Sequence, residues 1–193
     1  NATTAYTTTY TWDITKTVAP ARIDMFDGET APLTYTVSVT KQVGSNSGYL
    51  VTGTIVISNP APIAAKITNV SDVLSGGVTA AVNCGSFPKT IAAFGTLTCS
   101  YSALPGSGVA RTNVATATQE VNGAVSKLYS GAIGVTFPAT GTTLVNDSVT
   151  VSDTNWSGPT NTATNQSWTY SVGQSCANIN FVGGLSGSKQ VNN

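Results

Sequence analysis

Histidine is absent from the 193 residues, and charged residues are scarce. Without histidine there is no Ser-His-Asp or Cys-His catalytic set, and a typical zinc site is disfavoured. Eight basic residues balance eight acidic ones, and charged residues make up 8% of the chain, against about 25% in an average soluble domain. This excludes the basic surface by which proteins bind nucleic acid or acidic membranes. We expect neither an enzyme nor a cofactor, since no nucleophile-base or acid-base set is visible.

Long apolar runs are missing as well. No stretch approaches the roughly 18 apolar residues that cross a bilayer, so we expect no membrane insertion. No charged-then-apolar signal peptide opens the chain, and NATTAY is typical of a mature, processed end. Scarce charge, few lysines and the cysteine spacing favour an extracellular or cell-surface location.

Threonine is abundant, with 32 residues of a β-branched type that suits a pleated sheet with one wet face. From Pro32 onward, alternating segments are interrupted by turn residues about every ten positions, which is typical of a sandwich or barrel. No segment has a sustained 3.6-residue apolar period. The sequence therefore predicts an all-β fold with little or no helix.

The opening stretch TTTYTWDITKTV (7–18) extends one alternating pattern. Tyr6, Thr8, Tyr10 and Trp12 fall on one face, which continues to Val18, as expected for a single half-buried strand. At about 3.3 Å per residue this strand exceeds what one small sandwich covers. We therefore predict a long N-terminal strand that is either an edge strand of its own subunit or exchanged between subunits.

Three regions are expected along the chain. Residues 1–18 form the N-terminal strand, residues 19–137 form a β-sandwich, and residues 138–193 form a smaller β region packed on that sandwich or completing it. The last region has few strands for its length, with a long polar loop between Val151 and Ser167 and a further strand predicted at 178–184. It is thin for a self-sufficient sandwich and is expected to borrow structure from elsewhere.

Two segments, NVSDVLSGG (69–77) and IAAFGTLTCSYSALPGSGVARTNVATAT (91–118), resemble prokaryotic surface-protein repeats of a conserved domain of unknown function. Those repeats have a TNV-TD-LP-G strand and turn, a TCTY strand and a TNTATAT strand. The resemblance covers most of the chain from Tyr10 to about Thr154, although this chain is short for a multi-repeat array. It implies an immunoglobulin-like β-sandwich in a secreted or cell-surface protein with a structural or adhesive role.

The three cysteines are expected to have different roles. Cys84 and Cys99 end adjacent predicted strands, and a disulfide between them would close a loop of about 15 residues. The alternative is two buried free thiols. Cys176 is left over, either as a buried apolar residue or as the partner of a cysteine outside this chain.

Two kinds of specific chemistry are considered for the charged residues. Asp24, Asp27 and Glu29 surround Gly28 and are weak candidates for calcium ligands, although their spacing matches no EF-hand and a solvated turn is the preferred interpretation. An isopeptide crosslink between neighbouring strands is the second. Its candidate residues are Lys16, Lys41, Asn113, Glu120 and Asp13.

Glycans are considered in two ways. The tryptophans at 12, 156 and 168 offer flat apolar faces for a bound sugar, with Trp156 expected to be exposed, but ordinary packing is the favoured interpretation. Glycosylation sequons are frequent by chance in a chain rich in Asn, Ser and Thr. They begin at Asn1, Asn69, Asn146, Asn155 and Asn165.

Two functions remain. The first is a structural subunit of an extracellular filament or surface layer that polymerises head-to-tail with copies of itself by β-strand addition. The second is a monomeric surface module that adheres or binds carbohydrate. In the first, Ala2 to Thr11 pairs with a neighbouring subunit while Trp12 to Val18 pairs within its own. The expected subunit contacts are Tyr6, Thr8, Tyr10 and Trp12.

Overall fold

The computed structural model describes residues 1–123, 125–156, 160–177 and 189–191, and every regular element in these ranges is a β-strand. The all-β prediction is confirmed; the predicted strand at 178–184 lies outside the described residues. None of the described residues forms a helix of the length and apolarity needed to cross a bilayer. The strands are β1 Ala2–Thr9, β2 Trp12–Ala19, β3 Thr30–Lys41, β4 Ser45–Ser58, β5 Ala65–Leu74, β6 Val78–Thr79, β7 Ala81–Asn83, β8 Lys89–Ile91, β9 Thr96–Ala103, β10 Arg111–Val121, β11 Val125–Val135, β12 Thr143–Val145, β13 Val149–Val151, β14 Thr160–Thr162 and β15 Gln166–Ser175.

The chain forms two compact units, each assembled from separate stretches. The first unit contains Asn1–Thr9 and Ser45–Val145, and the second contains Tyr10–Gly44 and Asn146–Asn193. These boundaries differ from the expected ones at residues 18 and 137. The reason is that strand pairing groups distant segments around one core, whereas the sequence pattern shows only where segments begin and end.

The first unit is a β-sandwich. One sheet has the order β12-β1-β4-β9-β7, and the other has the order β11-β10-β5-β6, with β8 also paired to β5. Alternate residues of both sheets meet in the interior, where Val51 packs with Leu74, Tyr101 and Val135. An immunoglobulin-like strand order stays a prediction.

The long N-terminal strand is interrupted. Tyr10 and Thr11 lie outside any strand, so that β1 belongs to the first unit and β2 to the second. The prediction of one continuous strand from Tyr6 to Val18 was therefore wrong. The alternation runs unbroken through a change of sheet, because each strand has the same period of two.

The second unit contains a three-stranded sheet, β15-β3-β2, and the hairpin β13-β14. Val37 and Val39 of β3 pack against Val151 of β13, and three tryptophans surround this small core. Part of the stretch between Val151 and Ser167, expected to be an exposed loop, is instead strand β14, which pairs with β13. Its sequence, TNT, has no apolar residue that would mark it as a strand.

The predicted disulfide is present. Cys84 and Cys99 are bonded, with a sequence separation of 15 and a Cα–Cα distance of 4.4 Å. Cys99 is buried against Ile67 and Val70 of the opposite sheet. Cys176 is a buried free thiol whose Sγ lies 3.8 Å from the backbone oxygen of Met25.

Replacing both Cys84 and Cys99 by serine should lower the free energy of unfolding by about 3 kcal/mol, because the unfolded chain regains the entropy of a 15-residue loop. Urea denaturation of the monomeric protein measures this difference. An unchanged midpoint would show that the disulfide does not stabilise the sandwich.

Candidate strand-binding site

The terminal strand β1 occupies an interior position of a sheet. It pairs antiparallel with β4, from Ala2 opposite Gly53 to Thr9 opposite Ser45, and parallel with β12, where Thr7 lies opposite Thr143. From Thr7 to Thr9 it thus has a paired strand on both sides. We call the position between β4 and β12 the strand slot.

Tyr6 is the main apolar anchor of β1 in the strand slot. Its ring stacks on Tyr49 with 5.1 Å between centroids and meets the edge of Phe137 at 6.2 Å. The buried hydroxyl donates a hydrogen bond to the backbone oxygen of Pro138 at 3.1 Å. Aromatic pairs of this kind contribute about 0.5–1.5 kcal/mol each beyond the area they bury.

Polar contacts fix the register of β1. Thr8 is buried, and its Oγ1 donates to Asn46 Oδ1 at 2.8 Å. The Tyr6 backbone N–H donates to Thr142 Oγ1 at 3.1 Å, and the same hydroxyl donates to the Tyr6 carbonyl at 3.0 Å. A one-residue slip would turn these side chains to the other face and break the contacts.

The first residue is held by hydrogen bonds of its own. The Asn1 ammonium donates to the Thr54 carbonyl at 3.0 Å, and the Thr54 N–H donates to Asn1 Oδ1 at 2.9 Å. The hydroxyl of Tyr101 donates to the Asn1 carbonyl at 2.9 Å. Burial raises the pKa of Tyr101, the Asp72 charge adds to this rise, and a hydrogen bond with Asn113 opposes it.

Two glycines shape the strand slot. A Cβ on Gly53 would clash with the Asn1 carbonyl and lie 2.7 Å from the Tyr101 ring. A Cβ on Gly141 would clash with Thr8 Oγ1 and lie 2.9 Å from the Thr8 backbone nitrogen. These positions were not singled out in the sequence, because an isolated glycine in a strand or loop does not reveal what approaches it.

Gly141→Ala should destabilise the docked strand by about 1–3 kcal/mol, since a backbone atom of β1 must move to make room. Gly134→Ala on β11 is the matched control, because a Cβ there meets nothing within 4 Å. Urea denaturation of both variants as monomers tests this. Equal midpoints for the two would show that Gly141 does not shape the slot.

The slot continues past Asn1 as an open groove of about 740 Å³. Along one side runs β4 from Thr54 to Ser58, which pairs with β9, while no described strand covers its other edge beyond Asn1. The N–H and C=O groups of Thr54 point toward Asn1. Since every second residue of a strand directs its main-chain groups to the same edge, the N–H and C=O groups of Val56 and Ser58 also point to this open edge. This is an unpaired row of the kind to which strands add.

The opposite wall of the groove is apolar but incompletely covered. It consists of small residues of β10, Ala115 and Ala117, and of the partly exposed Tyr129 and Ile133 of β11. In the register of these strands, Ala117 lies opposite Tyr129 and Asn113 opposite Ile133. Among the described residues, no strand covers this inward-facing row.

A polar pair lies buried next to the groove. Asn113 lines the groove, is 3% exposed, and donates from Nδ2 to Asp72 Oδ2 at 2.9 Å. The other oxygens of the pair, Asn113 Oδ1 and Asp72 Oδ1, have no hydrogen-bond partner. A buried acceptor without a donor costs about 1–3 kcal/mol, so this pair lowers the stability of the sandwich at this point.

The structure separates the four expected subunit contacts. Tyr6 and Thr8 line the strand slot of the first unit, whereas Tyr10 and Trp12 belong to the second. The Lys41 ammonium lies 3.9 Å from the Tyr10 ring centroid, and Trp12 Nε1 donates to the Asn146 carbonyl at 2.9 Å. In the single chain Tyr10 therefore packs on its own second unit.

The calcium candidates do not converge on one point. Asp24 is exposed and pairs with Arg22 at 2.8 Å, while Glu29 Oε2 accepts a hydrogen bond from the Phe26 backbone N–H. The described residues contain no group of three or more His, Cys, Asp or Glu side chains arranged to hold a metal ion. The solvated-turn interpretation of this segment agrees with these contacts.

The isopeptide candidates have other partners. Lys16 pairs with Asp153, Lys41 with Asp147, and Asn113 with Asp72. Of the two acids expected to assist, Glu120 pairs with Lys66, and Asp13 accepts a hydrogen bond from Gln42. The two lysines belong to the second unit and Asn113 to the first. The residues named for the crosslink thus do not form one cluster.

The Lys16–Asp153 pair holds both groups in their charged forms. Its Nζ–Oδ2 distance is 2.6 Å, with Lys16 also above the rings of Tyr35 and Tyr170. Hydrogen bonding from Lys16 lowers the pKa of the Asp153 carboxyl despite some desolvation. Desolvation by itself would lower the pKa of the Lys16 amine. The hydrogen bonds to Asp153 and Tyr170 outweigh this effect and raise the pKa of the amine.

Stability should therefore depend on Asp153 at acid pH. A carboxyl with a depressed pKa stabilises the fold above its unfolded pKa of about 3.9, and this is lost as pH falls through the lower folded value. The Asp153→Asn variant should have a lower melting temperature than the wild type at pH 7. This difference in melting temperature should become smaller toward pH 2. Asp24→Asn, at an exposed pair, should show no such gap. A pH-independent gap for Asp153→Asn would contradict the assignment.

The aromatic and sequon predictions have mixed outcomes. Trp156 is not freely exposed, because its ring packs on Trp168 at 5.1 Å, so the expectation of an exposed platform at this residue was wrong. Asn1, Asn69, Asn146, Asn155 and Asn165 are exposed, and their glycosylation stays a prediction. Carbohydrate binding likewise stays a prediction.

The chain matched no protein-family model, and neither curated proteins nor solved structures showed significant similarity. The resemblance to surface-protein repeats therefore stays a prediction. The disulfide independently indicates an oxidising, non-cytoplasmic compartment.

Proposed function

We propose that this protein is a structural subunit of an extracellular filament or surface layer, in which subunits join head-to-tail by adding the N-terminal strand of one chain to the sandwich of the next. One observation carries the proposal. The terminal strand β1 fills an interior sheet position in a unit whose other strands all come from Ser45–Val145. The strand slot thus accepts a segment that only Tyr10 and Thr11 join to β2.

The connectivity permits β1 to leave its own unit. Besides the junction after Thr9, the chain passes between the units after Gly44 and after Val145. Those two junctions keep the units of one subunit together when β1 is donated elsewhere. Tyr10 and Thr11 then act as the hinge of an exchanged segment, as in domain swapping.

The same contacts stabilise β1 in either arrangement. Tyr6 on Tyr49, Thr8 on Asn46 and Asn1 on Thr54 are available in any copy of the slot. An empty slot leaves the edge of β4 unpaired and the apolar interior open to water, so each slot favours occupancy. In a head-to-tail exchange, every strand slot except that of the last subunit is filled by a neighbouring strand. The assembly then grows without closing into a ring.

The chemistry of the surface agrees with an extracellular assembly. The sandwich has a disulfide, and charged residues are few, so solubility depends on Thr, Ser and Asn side chains. Without net charge, subunits do not repel one another strongly, which favours a dense polymer.

Locking β1 into its own slot should block polymerisation. Thr3 on β1 lies opposite Thr52 on β4, and facing residues of an antiparallel pair lie within disulfide range. The variant Thr3→Cys/Thr52→Cys, made with Cys176→Ser and oxidised as a monomer, should stay monomeric. Mild reduction of this exposed bond should restore filaments, measured by sedimentation and electron microscopy.

The matched control keeps the same change at Thr52 but leaves β1 free. Thr52→Cys/Ser102→Cys links β4 to β9, since these residues also lie opposite each other, and it should polymerise when oxidised. If the β1-locked variant forms filaments of the same width and repeat as the control, strand addition by β1 is wrong.

A further inference from the structure

We propose that the junction segment Tyr10–Thr11 is a latch: its contacts with the second unit hold β1 in the slot of its own chain, and their release permits β1 to be donated. The inference rests on the proposed function and specifies how the exchange is controlled. We call Lys41, Gln42 and Asn146, which hold the segment, the latch residues. They belong to the second unit, as Tyr10 and Thr11 do.

The side chain of Tyr10 is held by Lys41. Its ring lies beside the Lys41 ammonium, with 3.9 Å between Nζ and the ring centroid. The ammonium is itself fixed, because it donates to Asp147 Oδ1 at 2.6 Å and to the Asp147 carbonyl at 2.8 Å. Lys41 is the last residue of β3, so the Tyr10 ring is bound to the middle strand of its sheet.

The main chain of the junction segment is held as well. The Gln42 backbone N–H donates to the Thr11 carbonyl at 2.9 Å, and Asn146 Nδ2 donates to the Tyr10 carbonyl at 3.4 Å. Asn146 has a φ of 54°, a left-handed conformation that asparagine adopts more readily than most residues. Its carbonyl accepts from Trp12 Nε1 at 2.9 Å, so the first residue of β2 is fixed at the same place.

The latch contacts, and not the local sequence, interrupt the strand at this point. Tyr10 and Thr11 lie outside any strand, although tyrosine and threonine both favour extended backbone. The segment has none of the Gly, Pro, Asn or Asp residues that mark most turns. The alternating pattern also continues through it from Tyr6 to Val18. We therefore expect the segment to extend when the latch contacts are broken.

Strand exchange requires the junction segment to change conformation. With the Tyr10 ring and both carbonyls held, β1 leaves the second unit along one path, which leads to the slot of its own chain. The slot of another chain cannot occupy the same place, so a donated β1 must leave along a different path. The dihedral angles of Tyr10 and Thr11 must supply this change, because β2 is paired from Trp12 onward and β1 as far as Thr9.

The latch therefore controls the rate at which β1 is donated. Its contacts must break before β1 enters another slot, so the loss of one contact should speed polymerisation. The strand slot itself should be unaffected, because the latch residues and the slot belong to different units. A variant with a weakened latch thus separates control of the exchange from the exchange itself.

Polymerisation started from locked monomers measures the effect of the latch. The parent is the oxidised Thr3→Cys/Thr52→Cys/Cys176→Ser monomer, in which mild reduction releases β1 in all molecules together. Tyr10→Val keeps a strand-forming side chain but removes the ring. Asn146→Gly keeps the left-handed backbone but removes the amide donor. Each is added to the parent, filament growth after reduction is followed by light scattering, and the melting temperature of each oxidised monomer confirms that it is folded.

Tyr129→Val in the same parent is the matched control. Tyr129 also lies beside a lysine, with 5.3 Å between Lys127 Nζ and the ring centroid, but it belongs to β11 of the first unit. The control thus removes a tyrosine ring and a cation–π contact without changing the latch.

We expect Tyr10→Val to polymerise about 2–5-fold faster than the parent, which corresponds to the loss of one exposed cation–π contact before the rate-limiting step. Asn146→Gly should also be faster, and Tyr129→Val should match the parent. The latch is wrong if Tyr10→Val polymerises no faster than the parent, or if Tyr129→Val is accelerated to the same extent. A parent that forms no filaments after reduction would contradict the proposed function itself.

Discussion

Main-chain pairing of a terminal strand with β4 is the interaction on which the first unit depends. β4 is central to its sheet, with β9 on one side and β1 on the other, so without β1 its edge would expose unpaired N–H and C=O groups. The tyrosine and threonine side chains of β1 fix its position, and Gly53 and Gly141 leave room for its backbone. Because only Tyr10 and Thr11 join this strand to β2, this requirement can be met by any chain that presents the same segment.

The two units have different roles: the first forms a rigid sandwich around the strand slot, and the second fixes β2 to its own subunit. In the first unit, a disulfide and two buried clusters hold the sandwich around the slot. In the second, β2 pairs with β3 along its whole length, and Lys16 is held by Asp153 and two tyrosine rings. The segment after the hinge is therefore firmly fixed to its own subunit, and β1 can be donated while β2 stays paired with β3.

The sequence predicted the features that depend on local pattern. Threonine content and alternation indicated the all-β fold, and the ends of adjacent predicted strands brought Cys84 and Cys99 together. The alternation of the sequence did not indicate that the chain changes sheet at Tyr10 and Thr11, because β1 and β2 have the same period of two residues. The slot glycines and the buried Asp72–Asn113 pair were also missed, since a polar or small residue acquires such a role only from segments distant in sequence.

An electron cryo-microscopy map of the native assembly, at a resolution that traces the main chain, tests strand exchange between subunits most directly. Strand exchange predicts density running from Thr11 of one subunit into the strand slot of the next, beside β4. It would be contradicted by a map in which every N-terminal strand lies in the slot of its own chain.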